Sequence, residues 1–331
     1  MNVSITERRL AFRTPLRASY GELRERSVLE LRIEEGEVVG VGEAAPLEPY
    51  DGVPLEAARS ALERCRPLLE DATHGDREEV VDACWLEAGL PQAVAAVDLA
   101  LWDLEGKQTG RPVAALLRPD FAASVPMSAA IAAVDRAGAA AEAAAAVADG
   151  FEALKLKVGV GDDGGRLAVV RAVAPDAVLR VDANGAWRVD ESVAALDALS
   201  GVGLELVEEP VHGIEELRAV RERVSVPVVM DETAAVPGAI DSGAADGVCL
   251  KIASCGGING LLAAAAAARA AGAFVYVGST YDGPVGIAAG VHAAAALQPT
   301  PACGLATLRL FEGAPEVDLT PRGPGLGVAA G

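Results

Sequence analysis

From about residue 123 onward, short β-rich apolar runs alternate with alanine-rich stretches. The runs are VPMSAAI, ALKLKVG, AVLRVDANG, LELVEEP, VPVVMDET, GVCLKIAS, FVYVGST and ACGLATL. Short apolar runs separated by helical stretches predict parallel pairing through right-handed crossovers, and eight of them suit a closed β/α barrel. The upstream pattern is different. Residues 1 to about 45 read as strands, with two β-rich runs in SVLELRIEEGEVVGVGEA flanking Glu35-Gly36 as a hairpin. Helical patterns follow at roughly Pro54 to Glu70 and Leu90 to Gly110. None of this fits the repeat, so the expected architecture is α/β: an α+β domain over 1–120 and a barrel over 121–310, with the tail from about 311 to 331 packing on the first domain.

Composition narrows the partners. A formal charge of −20 opposes nucleic acid and anionic membrane, which are bound through Lys and Arg. The start, MNVSITERRLAFRTPL, has no apolar core followed by a cleavage site, and no window is apolar enough to span a bilayer; the expected location is cytoplasmic. Five scattered cysteines without CxxC spacing suit reduced thiols better than zinc or disulfides.

Lysine is rare, and its placement is informative. Of 28 basic residues only Lys107, Lys155, Lys157 and Lys251 are lysines, and an ammonium can give up its proton where a guanidinium cannot. The predicted strand ends carry Lys155 and Lys157, then Asp182 and Asn184, Glu208 and Glu209, Asp231 and Glu232, and Lys251. Steps of 25, 26, 23 and 20 residues from Lys157 through Asp182, Glu208 and Asp231 to Lys251 put one such residue on each successive strand, at the face where barrel enzymes work. Three converging carboxylates repel one another, and an oxygen trio with open positions is what Mg²⁺ accepts, so Asp182, Glu208 and Asp231 are expected metal ligands. Glu209 and Glu232 are expected behind them or at helix starts. Lys155 and Lys157, two apart, share one strand face; pointing inward, desolvation and mutual repulsion should lower their pKa toward that of a general base. Lys251 approaches from the opposite side, a layout suited to removing a proton beside a carboxylate. The plainer alternatives are carboxylates that cap helices and lysines that merely pair with them.

A rival signal is Gly159-Val160-Gly161-Asp162-Asp163-Gly164, a G-x-G-x-x-G with Asp182 18 residues beyond, formally the fingerprint of an NAD-binding oxidoreductase. Asp162 and Asp163 would repel a pyrophosphate at the helix start. A barrel acting only as a binding module is a third reading, which leaves the lysines without a purpose.

Taken together, KLKVG, RVDANGAW, LVEEP, MDET and LKIASCGGI, preceded by GVGEAAP and VDLALWDLEGKQTGRPV, resemble the enolase superfamily, in particular its muconate cycloisomerase-like subgroup. The resemblance implies a modified (β/α)7β TIM-type barrel with an N-terminal capping domain. It implies Mg²⁺, with Mn²⁺ as a substitute, on Asp182, Glu208 and Asp231, with Asn184, Glu209 and Glu232 supporting them. Lys157 and Lys251 would be the acid/base pair and Lys155 would tune Lys157. The seventh strand lacks the histidine of mandelate racemase-like enzymes, and Gly304-Leu305-Ala306 replaces the Asp-x-Asp of dipeptide epimerases. CGLATLRLF is similar to the end of o-succinylbenzoate synthases, as is GSTYDGPVGIAAG, although Asp282 stands where many of them have Glu. The implied reaction is a dehydration in menaquinone biosynthesis on a small carboxylate substrate; N-acylamino acid racemisation, dipeptide epimerisation and muconate-type cycloisomerisation share the same residues. Ser19, Tyr20, Arg24, Tyr50 and Asp51 in the capping loops, with Ser279, Thr280 and Asp282, are the implied substrate contacts. Barrels of this type often form homo-oligomers.

Overall fold

The computed structural model describes residues 1–18, 21–72, 77–299, 301–313 and 319–328. Three antiparallel strands open the chain: β1 (Asn2–Ala18), β2 (Gly21–Glu35) and β3 (Val38–Ala44), ordered β1-β2-β3. The β2–β3 hairpin turns at Gly36, whose φ of 62° is open to glycine without strain. Helices α1 (Glu48–Asp51), α2 (Leu55–Asp71), α3 (Arg77–Ala88), α4 (Pro91–Thr109) and α5 (Val113–Leu117) follow. Helix α3 has no counterpart in the sequence reading. Val81, Cys84 and Ala88 are its buried residues, while Leu86 is 91% exposed, so its apolar positions mark no single face.

The second part repeats strand and helix: β4 (Ser128–Ile131), α6 (Arg136–Ala148), β5 (Ala153–Lys157), α7 (Asp163–Val173), β6 (Val178–Asp182), α8 (Val189–Leu199), β7 (Leu204–Glu208), α9 (Ile214–Arg221) and β8 (Val228–Met230). It continues with β9 (Gly247–Lys251), α10 (Ile252–Cys255), α11 (Ile258–Ala270), β10 (Phe274–Gly278) and α12 (Pro284–Leu297). The seven strands are parallel neighbours in chain order. Two expectations need correction. Between β8 and β9 the crossover is made of two 3-10 turns, Glu232–Ala235 and Ile240–Ser242, in the shortest interval of the repeat. The eighth run, ACGLATL, is no strand but a pair of bridges: Cys303 pairs with Met127 and Gly304 with Gly278. The Ser128 N–H donates to the Cys303 carbonyl (2.9 Å) and the Gly304 N–H to that of Val277 (2.8 Å). Those bonds join the two edge strands and close the barrel.

The two parts meet along α4, which is buried over nearly its whole length. Strand β3 lies against it so closely that a Cβ on Gly42 would stand 1.8 Å from the Ala96 carbonyl oxygen. Asp98 of α4 reaches into the barrel, where Oδ2 accepts the Ile258 N–H at 2.6 Å, at the start of α11. The tail returns here too: Gly325 bridges to Pro112, and the Leu326 N–H donates to Asp103 at 2.8 Å. Among the described residues no helix is long and apolar enough to cross a membrane.

Gly42→Ala drives a methyl group into helix backbone that cannot yield as a flexible side chain would. We expect it to destabilise the protein by about 1–3 kcal/mol, read as a lower urea midpoint with an unchanged slope.

Candidate active site

Parallel register builds the site. Lys157 on β5 stands opposite Asp182 on β6, which stands opposite Glu208 on β7. Asp231 directly follows β8, and Lys251 ends β9. In a ring of β4 to β10 closed by Cys303-Gly304, β5 and β9 lie four places apart, so Lys157 and Lys251 face each other across the barrel mouth. The three carboxylates occupy the arc between them. The other arc is uncharged, with Ser128 and Ala130 of β4, Gly278 of β10, Gly304 and Thr307. These side chains surround a cavity roofed by Leu16, Leu47 and Tyr50 from the capping domain.

Ammoniums and carboxylates interlock. The Lys155 Nζ donates to Asp182 Oδ2 (3.0 Å) and Glu208 Oε1 (2.8 Å), and the Lys157 Nζ to Asp182 Oδ2 (2.7 Å) and to Asn184. Lys251 donates to Asp231 and to the Tyr50 hydroxyl (2.8 Å), which itself donates to Asp231 Oδ1 (2.9 Å). Burial works to raise the Asp182 carboxyl, but Lys155 and Lys157 outweigh it and hold the group well below the usual range. Burial raises Glu208, against the pull of Lys155 and with the help of Asp182 and Asp231. It raises Asp231 likewise, against the pull of Lys251.

The lysines correct an expectation. Burial does push Lys155 down, yet Asp182 and Glu208 beside it win and it is raised well above an ordinary lysine; Lys251, for which no lowering is expected, is raised in the same way by Asp231. At Lys155 the acids that register brings beside it, and not the neighbouring ammonium, decide the sign.

A further layer holds these groups. Glu209 accepts the Asp231 N–H (2.7 Å), the Thr233 N–H (3.1 Å) and the Thr233 hydroxyl, and its Oε1 lies 3.0 Å from His212 Nδ1. The Asn184 amide donates to Glu232 Oε1 at 2.7 Å. The Tyr276 hydroxyl donates to Glu208. Among the described residues four non-glycine positions have positive φ, and three of them, Asn184, Glu209 and Tyr281, are at this site. Such backbone persists only where its surroundings over-determine it.

The other implied contacts separate. Tyr50, Ser279 and Thr280 line the cavity. Asp282 lies behind it, where Oδ1 accepts the Thr280 hydroxyl at 2.7 Å. Asp51 does not face the cavity: it accepts the Leu47 and Val53 N–H groups (3.1 and 2.9 Å) and the Gln92 amide (2.9 Å), which shapes the loop that presents Tyr50. Arg24 is exposed and paired with Glu22 at 2.6 Å. Ser19 and Tyr20 lie outside the described residues. Cys249 and Tyr276, absent from the sequence reading, face inward; each sits two positions before an inward residue, Lys251 and Gly278, so strand alternation would have found them. Leu16 and Leu47 carry no such signal, because they arrive from another domain.

The glycine-rich turn after β5 is filled by its own acids. Asp162 caps α7 and accepts the Gly165 N–H (3.1 Å), while Asp163 accepts that of Gly159 (2.7 Å). The amides a pyrophosphate would need are taken.

The donor set fits a cation. Ligand atoms of Glu208, Asp231 and Cys249 lie within 4.8 Å of one another, and burial raises the Cys249 thiol well above its usual range, keeping it a thiol. That leaves oxygen donors, which select hard divalent ions. Five carboxylates, Asp182, Glu208, Glu209, Asp231 and Glu232, meet three ammoniums in this cluster, and a divalent cation would balance the formal excess.

Comparison with known proteins bears on the family and the fold. Residues 1–118 match the mandelate racemase / muconate lactonizing enzyme N-terminal domain, and residues 138–330 the enolase C-terminal domain-like family. The N-succinyl-L-Arg/Lys racemase of Bacillus cereus is 29% identical over 299 residues, 86% of this chain and 81% of that protein. The o-succinylbenzoate synthase of Thermobifida fusca is 45% identical, but over 156 residues, 45% of this chain and 48% of that one. The crystal structure of a dipeptide epimerase from Enterococcus faecalis V583, complexed with Mg and the dipeptide L-Leu-L-Tyr, superimposes with a TM-score of 0.90 at 26% identity, covering 98% of each chain.

Glu209→Ala leaves the Asp231 and Thr233 amides without their buried acceptor. We expect a loss of about 1–3 kcal/mol in stability and, by calorimetric titration, divalent-cation affinity about 10–100-fold weaker.

Proposed function

Because this chain belongs to the mandelate racemase / muconate lactonizing enzyme family of the enolase superfamily, we propose that it removes the proton α to a substrate carboxylate, and that its reaction is the dehydration carried out by o-succinylbenzoate synthases. The observation that carries this reading is the pair Lys157 and Lys251 on opposite sides of one cavity with the three carboxylates between them. Asp182, Glu208 and Asp231 would hold Mg²⁺, or Mn²⁺ in its place. Bound there, the ion supplies positive charge toward the substrate carboxylate and so acidifies the adjacent C–H.

The residues divide the remaining work. Lys157 takes the α proton as general base, and Lys155 beside it, bonded to Asp182 and Glu208, sets the local charge. The Lys251 ammonium, on the far side, faces the negative charge that develops on the deprotonated substrate. The electron pair of the broken C–H bond expels the hydroxyl on the neighbouring carbon; Lys157 returns its proton to that oxygen, which leaves as water. Glu209 fixes the backbone at Asp231, and Tyr50 holds Lys251 and Asp231 together.

The uncharged arc bears on the substrate. Gly278, Ser279, Gly304 and Thr307 offer hydroxyls and backbone but no carboxylate, so a free substrate ammonium finds no counter-charge there, which disfavours dipeptides. A second reading, racemisation of N-succinylamino acids, is supported by the racemase relative that aligns along 86% of this chain. There Lys157 and Lys251 would add and remove the proton on opposite faces of one carbon.

Mg²⁺-dependent loss of 2-succinyl-6-hydroxy-2,4-cyclohexadiene-1-carboxylate absorbance tests the dehydration. Turnover with kcat/KM at or above ~10⁴ M⁻¹s⁻¹ is expected. Absence of turnover, combined with α-proton exchange of N-succinylamino acids in D₂O, would replace it by the racemase reading. Lys157→Ala should lower kcat by about 10²–10⁴-fold while Mg²⁺ affinity stays near wild type. Asp231→Asn should instead raise the Mg²⁺ concentration needed for half-maximal activity, and an unchanged requirement would exclude Asp231 as a ligand.

A further inference from the structure

A second cluster of buried charge lies where the capping sheet meets the cavity wall, and it takes no part in the chemistry above. Arg26 of β2, Glu43 of β3 and Asp282 after β10 are 3%, 3% and 1% exposed. Arg26 spreads its donors over the backbone of both domains: Nε to the Thr280 carbonyl (3.0 Å), Nη2 to that of Ala45 (2.9 Å), and Nη1 to those of Pro46 (2.5 Å) and Ser27 (3.1 Å). Glu43 reaches out of the capping sheet to the start of α12, where Oε1 accepts the Gly283 N–H at 2.7 Å. The fit there is close. A Cβ on Gly283 would lie 2.4 Å from one Glu43 oxygen, and a Cβ on Gly286 2.8 Å from the other.

Two parts of the cavity hang on these bonds. Between Thr280, held by Arg26, and Gly283, held by Glu43, lies Tyr281, a cavity residue with a φ of 58° and its ring edge-on to Phe12 of β1 at 5.6 Å. Strained backbone of this kind stays put only because its neighbours are tethered. On the other side, Ala45 and Pro46 lead directly into the loop that places Leu47 and Tyr50 in the cavity.

We propose that Arg26 and Glu43 are positioning residues: from the capping sheet they lock the wall Ser279–Asp282 and the Tyr50 loop into one frame, and so set the seat of Tyr50 against Lys251. The proposal rests on the reaction reading only in that Lys251 is the group being positioned. The charges around the cluster give it a pH signature. Burial and the Asp282 carboxylate push Glu43 up from 4.5 to about 8, while the Gly283 and Gly286 amides and Arg26 pull it down. Burial raises Asp282 as well, with Thr280, Arg26 and Lys251 opposing. The Arg26 charge acts on both carboxyls but does not offset their burial, and Glu43 keeps its proton up to about 8. Unfolding releases the Glu43 proton near 4.5 and the folded chain holds it to about 8, so this group makes stability fall as pH rises through that window.

The test uses the full chain with Glu43→Ala, Glu43→Gln and Arg26→Lys. Hydrogen exchange by mass spectrometry, at a temperature where each variant is folded, should show faster exchange in Glu43→Ala at both 280–286 and 47–53. Glu43→Gln, which keeps an oxygen for Gly283 without the charge, should restore slow exchange and flatten the loss of melting temperature between pH 4.5 and about 8. Arg26→Lys, which reaches fewer carbonyls, should loosen 45–53 even if Glu43→Ala fails to fold. On whichever substrate the wild type turns over, Glu43→Ala should lower kcat by about tenfold or more, with rescue by Gln. Exchange confined to 283–286 with the Tyr50 loop unmoved, or a folded Glu43→Ala with wild-type kcat, would overturn the proposal. If the wild type turns over neither class of substrate, the reaction reading falls, and the exchange pattern still decides the positioning role.

Discussion

Buried charge at the mouth of the barrel is the constraint to which the rest of the structure answers. Each carboxylate or ammonium withdrawn from water costs several kcal/mol unless it is paired and hydrogen-bonded, and Asp182, Glu208, Glu209, Asp231 and Lys251 are all at most 5% exposed. Parallel register makes this tolerable: it sets Lys157 beside Asp182 and Asp182 beside Glu208, so each acid meets a cation or a donor on the next strand. Tyr276 adds a hydrogen bond to Glu208, Tyr50 one to Asp231, and backbone amides supply those of Glu209. The same economy holds at the other end of the barrel interior, where Arg180 pairs with Glu205, donates to the Ala302 carbonyl and lies 5.3 Å from the Tyr276 ring. Compensation at the mouth is incomplete by just the kind of charge that a divalent cation carries.

The capping domain is bound to this arrangement by acids of its own. Asp98 of α4 meets the start of α11 and Glu43 of β3 the start of α12, where unpaired amides and the helix dipole favour a carboxylate. Asp98 is fully buried, and burial raises its carboxyl to about 7. Helix ends that a single-domain barrel would leave to solvent become docking points. The domain that roofs the cavity with Leu16, Leu47 and Tyr50 is thereby held in register with the lysines beneath. The positive φ of Tyr281 sits two residues before the Gly283 amide that Glu43 holds.

Much of this was legible along the chain. The eight apolar runs, the hairpin at Gly36, the helices now seen as α2 and α4, and the one-per-strand spacing from Lys157 to Lys251 are local signals, and local signals survive in sequence. The misreadings share a cause. Helix α3 buries Val81, Cys84 and Ala88 on one face, but the exposed Leu86 off that face blurs the pattern. The eighth run looked like a strand, yet two residues suffice to join strands that already stand side by side. The resemblance implies Asp51 and Arg24 as substrate contacts, and in the structure their side chains bond the loop and a surface partner.

The sequence by itself determined the repeat, the face on which the polar residues converge, and the identity of the charged groups, because these follow from period and spacing. Tertiary structure alone decided how those charges act on one another. The sign of the shift at Lys155 and Lys251, the uncharged arc opposite them, and the hold of Arg26 and Glu43 on the cavity wall all depend on groups tens to hundreds of positions apart coming within a hydrogen bond's length. Electrostatic energy falls with distance in space and has no memory of distance along the chain.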